Sequence, residues 1–422
     1  MLSRVRLRRR PVMTSVLAYT RPVWRSGPAA TARLDDLLLE VRMLLPITNA
    51  VIRVPPTWLL RVAILVTLAS GMIACTPPEP LRIGFLGGLS GRVADLGIGG
   101  RNGAILAVEM RNQQGGIKGR RIELIAEDDQ QDTEVARQAV ARLLARQVPV
   151  IIGPMTSAMA MVVVPEINAA GIPLIAPTVT TNALTGIDDQ FFRVVAPTAT
   201  HVLKSAEYHF VEQGLRRVAL VCDLRNKAYS ESWAGDFRKA FAAMGGSIVA
   251  ELGFDSSDSL AALATKVLAS KPDGVMIIAN SVDTGLLVQQ IRMRNASVRL
   301  GTAEWAATER LLELGGKAVE GLVVAQYVDR ESKAAAYLSF RHAYRQRFAQ
   351  EPGFAGLTAF DATNVALDAL AGQSSGQTLK EAILAHGEYA GAQSPIRFDA
   401  HGDTRRDTFL SVIRDGEFRS LR

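Results

Sequence analysis

Hydroxyl side chains follow two short apolar runs near the middle of the chain. Each run, at 150–152 and at 174–176, stops at a proline-containing turn that leads into small polar residues. Short apolar runs bounded by turn residues and separated by a helical pattern are typical of buried parallel strands, and ligands bind beyond the carboxyl ends of such strands. The hydroxyl residues at these ends are Thr156, Ser157, Thr178, Thr180 and Thr181. Because none of them is a charged acid or base, they predict a site that holds a small molecule by hydrogen bonds without transforming it.

Ser157 is the strongest of these candidates. It opens a predicted helix whose apolar positions continue to Ile167. A hydroxyl there lies beside free backbone N–H groups and the positive end of the helix dipole, which favour a carboxylate. The alternative is that Ser157 only caps the helix, as serine commonly does. With Thr178 and Thr180 nearby, ligand binding is the favoured interpretation.

A second group of candidates surrounds an acidic residue further along the chain. Glu304 follows a predicted strand near 298–300, where its carboxylate would bind a ligand ammonium group if it faces the ligand. The alternative is a solvated surface glutamate. Tyr229 opens a predicted helix and is a candidate for stacking on the ligand, whereas the alternative is local packing of a loop tyrosine. Trp305 is either a wall of the same site or a core residue.

Motifs for other kinds of chemistry do not occur in the sequence. The glycines at 84–91 do not fit the dinucleotide-binding pattern, and no Walker sequence, zinc spacing or Gly-x-Ser-x-Gly elbow occurs. The five histidines are scattered, and Asp128-Asp129 is better explained as a strand end that leads into a helix capped by Asp132 or Thr133. We therefore predict no catalytic residue, no metal and no cofactor. An enzyme is disfavoured because no nucleophile–base pair is evident.

The positive charge of the chain is confined to its beginning. Residues 1–74 hold 11 arginines, no lysine and 3 acidic residues, whereas the rest carries 37 basic and 38 acidic residues. The main part of the chain is therefore nearly neutral and has no basic footprint for nucleic acid. Its length predicts two or more domains.

The basic segment ends like a secretory signal. Arg61 is followed by a short apolar run and then by Met72-Ile73-Ala74-Cys75, which resembles the bacterial lipoprotein cleavage box. By that resemblance Cys75 is the acylated residue, 1–75 is the leader, and 76–80 is a tether to the membrane. The alternative is an uncleaved signal anchor. Because ordinary signals are short, we expect the true start to lie near Met43 or Val51, which leaves 1–50 as a mis-assigned start.

Beyond Leu81 the chain alternates between predicted strands and helices in two successive blocks. A first block extends to about Thr198, and a second block repeats the pattern from there. Such alternation predicts an α/β fold with two doubly wound, Rossmann-like lobes. The tail, 396–403 followed by 408–415, is predicted to form a β-hairpin with turns at Gly402 and Gly416. Cys222 lies in an apolar strand and is predicted to be a buried structural residue.

A set of short motifs resembles the type 1 periplasmic binding proteins of the leucine/isoleucine/valine-binding family, which serve ABC importers. The motifs are individually weak but occur in order over nearly the whole of 81–422. They are Ile83-Gly-Phe-Leu-Gly-Gly-Leu-Ser-Gly, Gly103…Ala107-Val-Glu, Gly115-Gly-Ile-Lys-Gly-Arg, Asp128-Asp129, Ile152-Gly-Pro…Thr-Ser, Gly171-Ile-Pro-Leu-Ile-Ala-Pro-Thr, Phe360-Asp-Ala and Phe398-Asp…Gly402-Asp.

The resemblance implies two lobes that close on a ligand and are joined by three crossovers, near 196–200, 323–328 and 394–400. Lobe 1 would comprise 81–197 with 327–395, and lobe 2 would comprise 198–326 with 396–422. The resemblance also implies contacts to the α-carboxylate and ammonium of the ligand from residues that match Ser157, Thr178 and Thr180, with an aromatic and an acidic residue matching Tyr229 and Glu304.

The sequence departs from the family pattern in three places. Leu96 stands where a tyrosine often precedes the glycine of the first helix, and Ser281-Val282 stand where branched-chain binders carry aromatic residues. The segment after Pro177 is one residue longer, so either Thr180 or Thr181 takes the contacting position. Because the site has fewer aromatic walls, a different amino acid, an amide, a urea-like compound or an aromatic acid is predicted as readily as a branched-chain amino acid.

These observations together predict a solute-binding lipoprotein of an ABC importer. It would reside in the periplasm or cell envelope, held to the membrane by a lipid anchor, and would bind an amino acid or a related small polar molecule. Its partner would be the importer permease, and no nucleic acid is expected. The alternative is a ligand-sensing regulator of the same fold that acts on a protein partner.

Overall fold

The computed structural model describes residues 78–421, which form two β-sheets and the helices that cover them. The predictions for the leader, including Cys75, concern residues outside this range. The strands are β1 (Leu81–Gly87), β2 (Ile122–Asp128), β3 (Ile151–Ile152), β4 (Leu174–Ala176), β5 (Phe191–Arg193), β6 (Arg217–Asp223), β7 (Ser247–Phe254), β8 (Gly274–Ile278), β9 (Arg299–Thr302), β10 (Val323–Gln326), β11 (Phe409–Arg414) and β12 (Glu417–Leu421). The α-helices are α1 (Ala94–Gln113), α2 (Thr133–Ala145), α3 (Ser157–Ala170), α4 (Thr198–Glu207), α5 (Lys227–Ala243), α6 (Leu260–Ala269), α7 (Ser281–Arg294), α8 (Glu309–Gly315), α9 (Ala335–Phe348), α10 (Gly353–Gly372) and α11 (Leu379–Ala385).

The first sheet is parallel throughout, in the order β2-β1-β3-β4-β5. The central strands β3 and β4 are wholly buried, as expected for a parallel sheet with helices on both faces. The carboxyl ends of β1, β3 and β4 therefore meet at one edge, where the glycine-rich loop and the two hydroxyl-rich loops follow. We call this sheet and its helices the first lobe.

The second sheet runs in the order β12-β11-β10-β9-β8-β6-β7 and belongs to the second lobe. Strands β6 to β10 are parallel, and β11 is antiparallel to both of its neighbours. The α/β fold with two doubly wound lobes is confirmed. The predicted turn at Gly416 is confirmed, because β11 pairs with β12 across Asp415-Gly416, whereas the predicted pairing of 396–403 with 408–415 is wrong. The segment near Phe398 forms only an isolated bridge to Thr404 around Gly402.

Elements from late in the chain pack on the first lobe. Helix α10 lies against α1 at a very close backbone approach, because a Cβ added to Gly103 would stand 2.1 Å from the carbonyl oxygen of Gly356. A second close approach holds the start of α1 on the glycine-rich loop, where a Cβ at Gly97 would stand 1.9 Å from the carbonyl oxygen of Gly88. Glycine is therefore required at both positions by space.

Local signals in the sequence account for most element boundaries. Asp132 caps α2 through its side chain, which accepts hydrogen bonds from the amides of Glu134 and Val135, as predicted. Helix α5 begins at Lys227, two residues before the Tyr229 that is predicted to open it. Cys222 is buried in β6, as predicted, and burial raises the pKa of its thiol to about 12. Within 78–421 no helix has the length and apolar character needed to span a membrane.

Candidate functional site

Ser157 occupies the first position of α3, directly beyond β3, and is 1% exposed. Its Oγ accepts hydrogen bonds from the backbone amides of Thr180 (3.4 Å) and Thr181 (3.3 Å) in the loop after β4. A serine hydroxyl has two acceptor positions and one proton. Because both acceptor positions are directed at the neighbouring loop, the proton is left for a further acceptor.

The hydroxyls around Ser157 have different roles. Thr178 donates to the carbonyl oxygen of Met155 at 2.6 Å and so joins the two loops of the first lobe. Thr156 is the N-cap of α3, and its buried Oγ1 has no hydrogen-bond partner. The carbonyl oxygen of Thr180 accepts from both the amide (2.9 Å) and the hydroxyl (2.7 Å) of Thr198, where α4 begins. Thr181 caps the turn that follows it.

Glu304 lies in the turn after β9 and is 1% exposed, which excludes the alternative of a solvated surface glutamate. Its Oε2 accepts a hydrogen bond from the Tyr229 hydroxyl at 2.8 Å and from the Trp233 Nε1–H at 3.1 Å. Its Oε1 is buried and has no hydrogen-bond partner among residues 78–421. Helix α5 presents Tyr229 and Trp233 on one face, one helical turn apart, so a single helix orients the carboxylate.

Two buried tyrosines stay protonated in this arrangement. Burial raises the pKa of the Tyr229 phenol well above its ordinary value, and the nearby Glu304 carboxylate raises it further. The pKa of the Tyr327 phenol is also raised well above its ordinary value, mainly by burial and further by the Glu304 carboxylate. Tyr229 therefore acts as a hydrogen-bond donor to Glu304 across the whole physiological pH range.

A small cavity, called here the central cavity, lies where the two lobes meet. Its empty volume is about 230 Å³. Three of the predicted site residues line this cavity: Ser157, Thr178 and Tyr229. The other two do not line it but are hydrogen-bonded to residues that do, Thr180 to Ser157 and Glu304 to Tyr229. Its lining residues are Leu96, Met155, Thr156, Ser157, Thr178, Asn226, Tyr229, Trp305, Tyr327 and Phe354.

Polar contacts join the two lobes on either side of the central cavity. The amide of Ala158, in the first turn of α3, donates to Asn226 Oδ1 at 2.9 Å. Ser232, on α5, contacts both the hydroxyl of Thr181 and the amide of Asn182. Side chains of one lobe thus satisfy backbone and hydroxyl groups at the loop ends of the other.

A second set of contacts lies at the start of α1. Asp95 Oδ2 accepts hydrogen bonds from the hydroxyls of Ser281 and Thr308, each at 2.5 Å. Arg92 forms an ion pair with Asp283 at 2.5 Å. Sequence reasoning missed these residues, since nothing local marks Asp95 or Arg92 as a partner of a segment almost 200 residues away.

Asp283 is held by a buried polar network of the second lobe. Its carboxylate also forms an ion pair with Arg225 and accepts a hydrogen bond from the side-chain amide Nδ2 of Asn280 at 2.6 Å. Burial lowers the pKa of Arg225, but its hydrogen bonds and charge interactions with Asp223 and Asp283 outweigh this and raise the pKa overall. A signal for these residues existed: Asp223 and Asn280 stand at the carboxyl ends of β6 and β8, as the hydroxyl residues do in the first lobe.

The paired aspartates after β2 serve the glycine-rich loop. Asp128 Oδ1 accepts from the amides of Leu89 (2.7 Å) and Gln130 (2.9 Å). Burial raises the pKa of Asp129 to about 6, and one of its carboxylate oxygens has no partner. Among residues 78–421 no group of three or more His, Cys, Asp and Glu side chains is arranged to hold a metal ion.

Comparisons with known proteins agree on one family. The family model described as periplasmic binding protein matches residues 80–417. The Leu/Ile/Val-binding protein BraC3 of Rhizobium johnstonii is 28% identical over 291 residues, which are 64% of this chain and 76% of that protein.

Solved structures show the same fold at lower identity. The branched-chain amino acid transporter substrate-binding protein LivJ of Streptococcus pneumoniae, in complex with isoleucine, has a TM-score of 0.75 and 23% identity, over 81% of this chain and 99% of that one. A solute-binding protein of an ABC transporter from R. palustris, in complex with benzoate, has a TM-score of 0.73 and 20% identity, over 81% and 95%.

Proposed function

The chain belongs to the periplasmic binding protein family, as its motifs predicted, and on that premise we propose that it is the solute-binding lipoprotein of an ABC importer. Its ligand is an amino acid or a related small polar molecule, held in the central cavity. The names of the relatives support this function, because they describe proteins that bind leucine, isoleucine and valine. The energy for transport comes from the importer, and the permease is the partner.

The ligand binds with its anionic end at the first lobe. The observation that carries the proposal is the placement of Ser157 at the N-terminus of α3, on the wall of the central cavity. Its proton is available, because its acceptor positions are already directed at Thr180 and Thr181. The helix dipole and the hydroxyl both favour a carboxylate or an amide oxygen there. Thr178 and Thr180 keep the loop after β4 in place around this end.

The ligand's hydrogen-bond donor is directed toward the second lobe. Glu304 carries a buried oxygen without a partner, and its other oxygen is held by Tyr229 and Trp233. A buried carboxylate oxygen is stabilised by a charged or neutral donor. A ligand ammonium group that reaches past Tyr229 supplies this donor. Glu304 thereby binds the ammonium group, although its side chain does not line the cavity in this structure.

Binding and release follow from opening and closing of the two lobes. The chain passes between the lobes after β5, after β10 and before β11, and we assign 81–197 with 327–395 to the first lobe and 198–326 with 396–422 to the second. The contacts of Asp95 with Ser281 and Thr308, and of Asn226 with α3, belong to the closed arrangement. They support a hinge mechanism, since rotation about the connections breaks them without disturbing either sheet.

The lipid anchor at Cys75 rests on the sequence. The apolar run before Cys75 and the proline-rich 76–80 after it support cleavage and acylation there, with the binding lobes outside the cytoplasm. Metabolic labelling with a fatty acid tests the anchor, because Cys75→Ala is expected to abolish labelling and to release the protein from the membrane.

A thermal-shift screen tests the binding function. A ligand that binds only the folded protein raises Tm, by several degrees at concentrations far above Kd. We expect one class among amino acids, amides, ureas and aromatic acids to do so. Ser157→Ala is expected to reduce the shift, while Ser257→Ala, which changes an exposed serine that is not among the cavity walls, keeps it. If no compound raises Tm, the proposal is wrong; if Ser157→Ala keeps the full shift, Ser157 is not in the site.

A further inference from the structure

Trp305 is a wall of the central cavity with an unsatisfied polar group. It follows Glu304 in the turn after β9, so the strand that places the carboxylate also places the indole. The side chain is 5% exposed, and its ring meets the Tyr229 ring edge-on, with centroids 5.8 Å apart and an interplanar angle of 79°. This packing fixes the indole against a residue of the proposed site.

The indole N–H of Trp305 is buried and has no acceptor among the described residues. A buried donor without an acceptor is unfavourable, and native proteins satisfy almost all such groups. Leu96, Met155 and Phe354 of the cavity wall offer no strong acceptor on their side chains. The other lining residues carry oxygens, but none of those oxygens accepts a hydrogen bond from the indole. A ligand in the cavity is therefore the natural source of the missing acceptor.

The lining of the cavity limits what that ligand can be. The empty space between its walls is about 230 Å³, which includes space open to solvent. Aromatic rings of Trp305, Tyr229, Tyr327 and Phe354 stand around it. A branched hydrocarbon side chain carries no acceptor and would leave the indole N–H without a partner.

We propose that Trp305 selects a small amino acid whose side chain carries an oxygen, which accepts a hydrogen bond from the indole N–H. This inference rests on the proposed function, because it assumes that an amino acid occupies the central cavity. The head group lies between Ser157 and Glu304, and the side-chain oxygen lies at Trp305. The bulk of the indole excludes larger apolar side chains.

Isothermal titration calorimetry of the purified full chain with L-threonine, L-valine and L-leucine tests this selection. Threonine and valine have the same shape and differ by a hydroxyl in place of a methyl group. We expect threonine to bind at least about tenfold more tightly than valine, because valine leaves the buried N–H unpaired. Trp305→Phe keeps the aromatic wall and removes the donor, so the ratio of the two Kd values falls to near one. Trp305→Ala opens the cavity and improves leucine binding.

The outcomes separate this inference from the proposed function. Valine or leucine binding as tightly as threonine refutes the selection by Trp305 and leaves the binding function intact. The selection is also refuted if Trp305→Phe leaves the ratio of the Kd values for threonine and valine unchanged, or if the protein binds only compounds that are not amino acids. If no compound of any class binds, both proposals fail. The ratio in the unchanged protein decides the matter even if neither variant folds.

Discussion

Replacing Asp95 with alanine is expected to weaken ligand binding without unfolding the protein. Asp95 lies in the first turn of α1 in the first lobe, and its two partners, Ser281 and Thr308, belong to the second lobe. On the proposed hinge mechanism, these contacts exist only while the lobes are closed. Asp95→Ala removes both of them from the closed form, whereas the open form loses only a favourable charge at the start of a helix.

The magnitude follows from the two hydrogen bonds. Each joins a hydroxyl to a carboxylate at 2.5 Å, and hydrogen bonds to charged groups contribute about 1.5–3 kcal/mol each when they are buried. Asp95 is half-buried, so water replaces part of this in the open form. A total of about 2 kcal/mol is reasonable, which corresponds to an increase in Kd of about 30-fold.

Stopped-flow dissociation of the ligand found in the thermal-shift screen measures the effect. Because the contacts stabilise the closed form, we expect most of the change in the dissociation rate, with the association rate nearly constant. Asp95→Asn is the matched control, since its amide oxygen still accepts from a hydroxyl and should retain most of the affinity. Equal dissociation rates for the unchanged protein and Asp95→Ala would refute the reasoning. The reasoning also fails if Asp95→Ala lowers the Tm of the ligand-free protein as much as it lowers the Tm of the ligand-bound protein.

Two further substitutions address the buried carboxylate and a buried histidine. Glu304→Gln keeps an oxygen that accepts from Tyr229 and Trp233 but replaces the unpaired oxygen by a donor. The affinity for a ligand with an ammonium group should therefore fall about 100-fold, while the Tm of the ligand-free protein stays the same. If calorimetry shows unchanged affinity, Glu304 only positions Tyr229. Burial lowers the pKa of His209 to about 4, and neither of its ring nitrogens has a hydrogen-bond partner in the described part of the chain. The unfolded chain therefore binds the proton more tightly, so the free energy of unfolding falls by roughly 3 kcal/mol as pH falls from about 6.5 toward 4. His209→Leu should flatten this part of the pH profile of urea unfolding, whereas the exposed-site control His342→Gln should leave it steep.

The positions of the strands and the first-lobe hydroxyls were accessible from sequence because the signals are local. The apolar run at 150–152 ends at Gly153-Pro154 and is followed by Thr156 and Ser157. This pattern predicts a buried strand with polar residues at its carboxyl end, and the structure has both there. The same holds for the cap of α2 by Asp132. Strand pairing was less accessible. The tail alternates in three adjacent segments, and the alternation does not say which two of them pair.

The sequence by itself determined that the chain has an α/β fold of repeated strand–helix units, and that small hydroxyl residues end two central strands. Only the tertiary structure decided what those residues contact. The burial of Glu304 under Tyr229 and Trp233, and the pairing of Asp95 with Ser281 and Thr308, join segments 71 to 213 residues apart. Local propensity carries no information over such separations. The contacts of Glu304 form only when distant elements of the second lobe have packed together, and those of Asp95 form only when the two lobes meet.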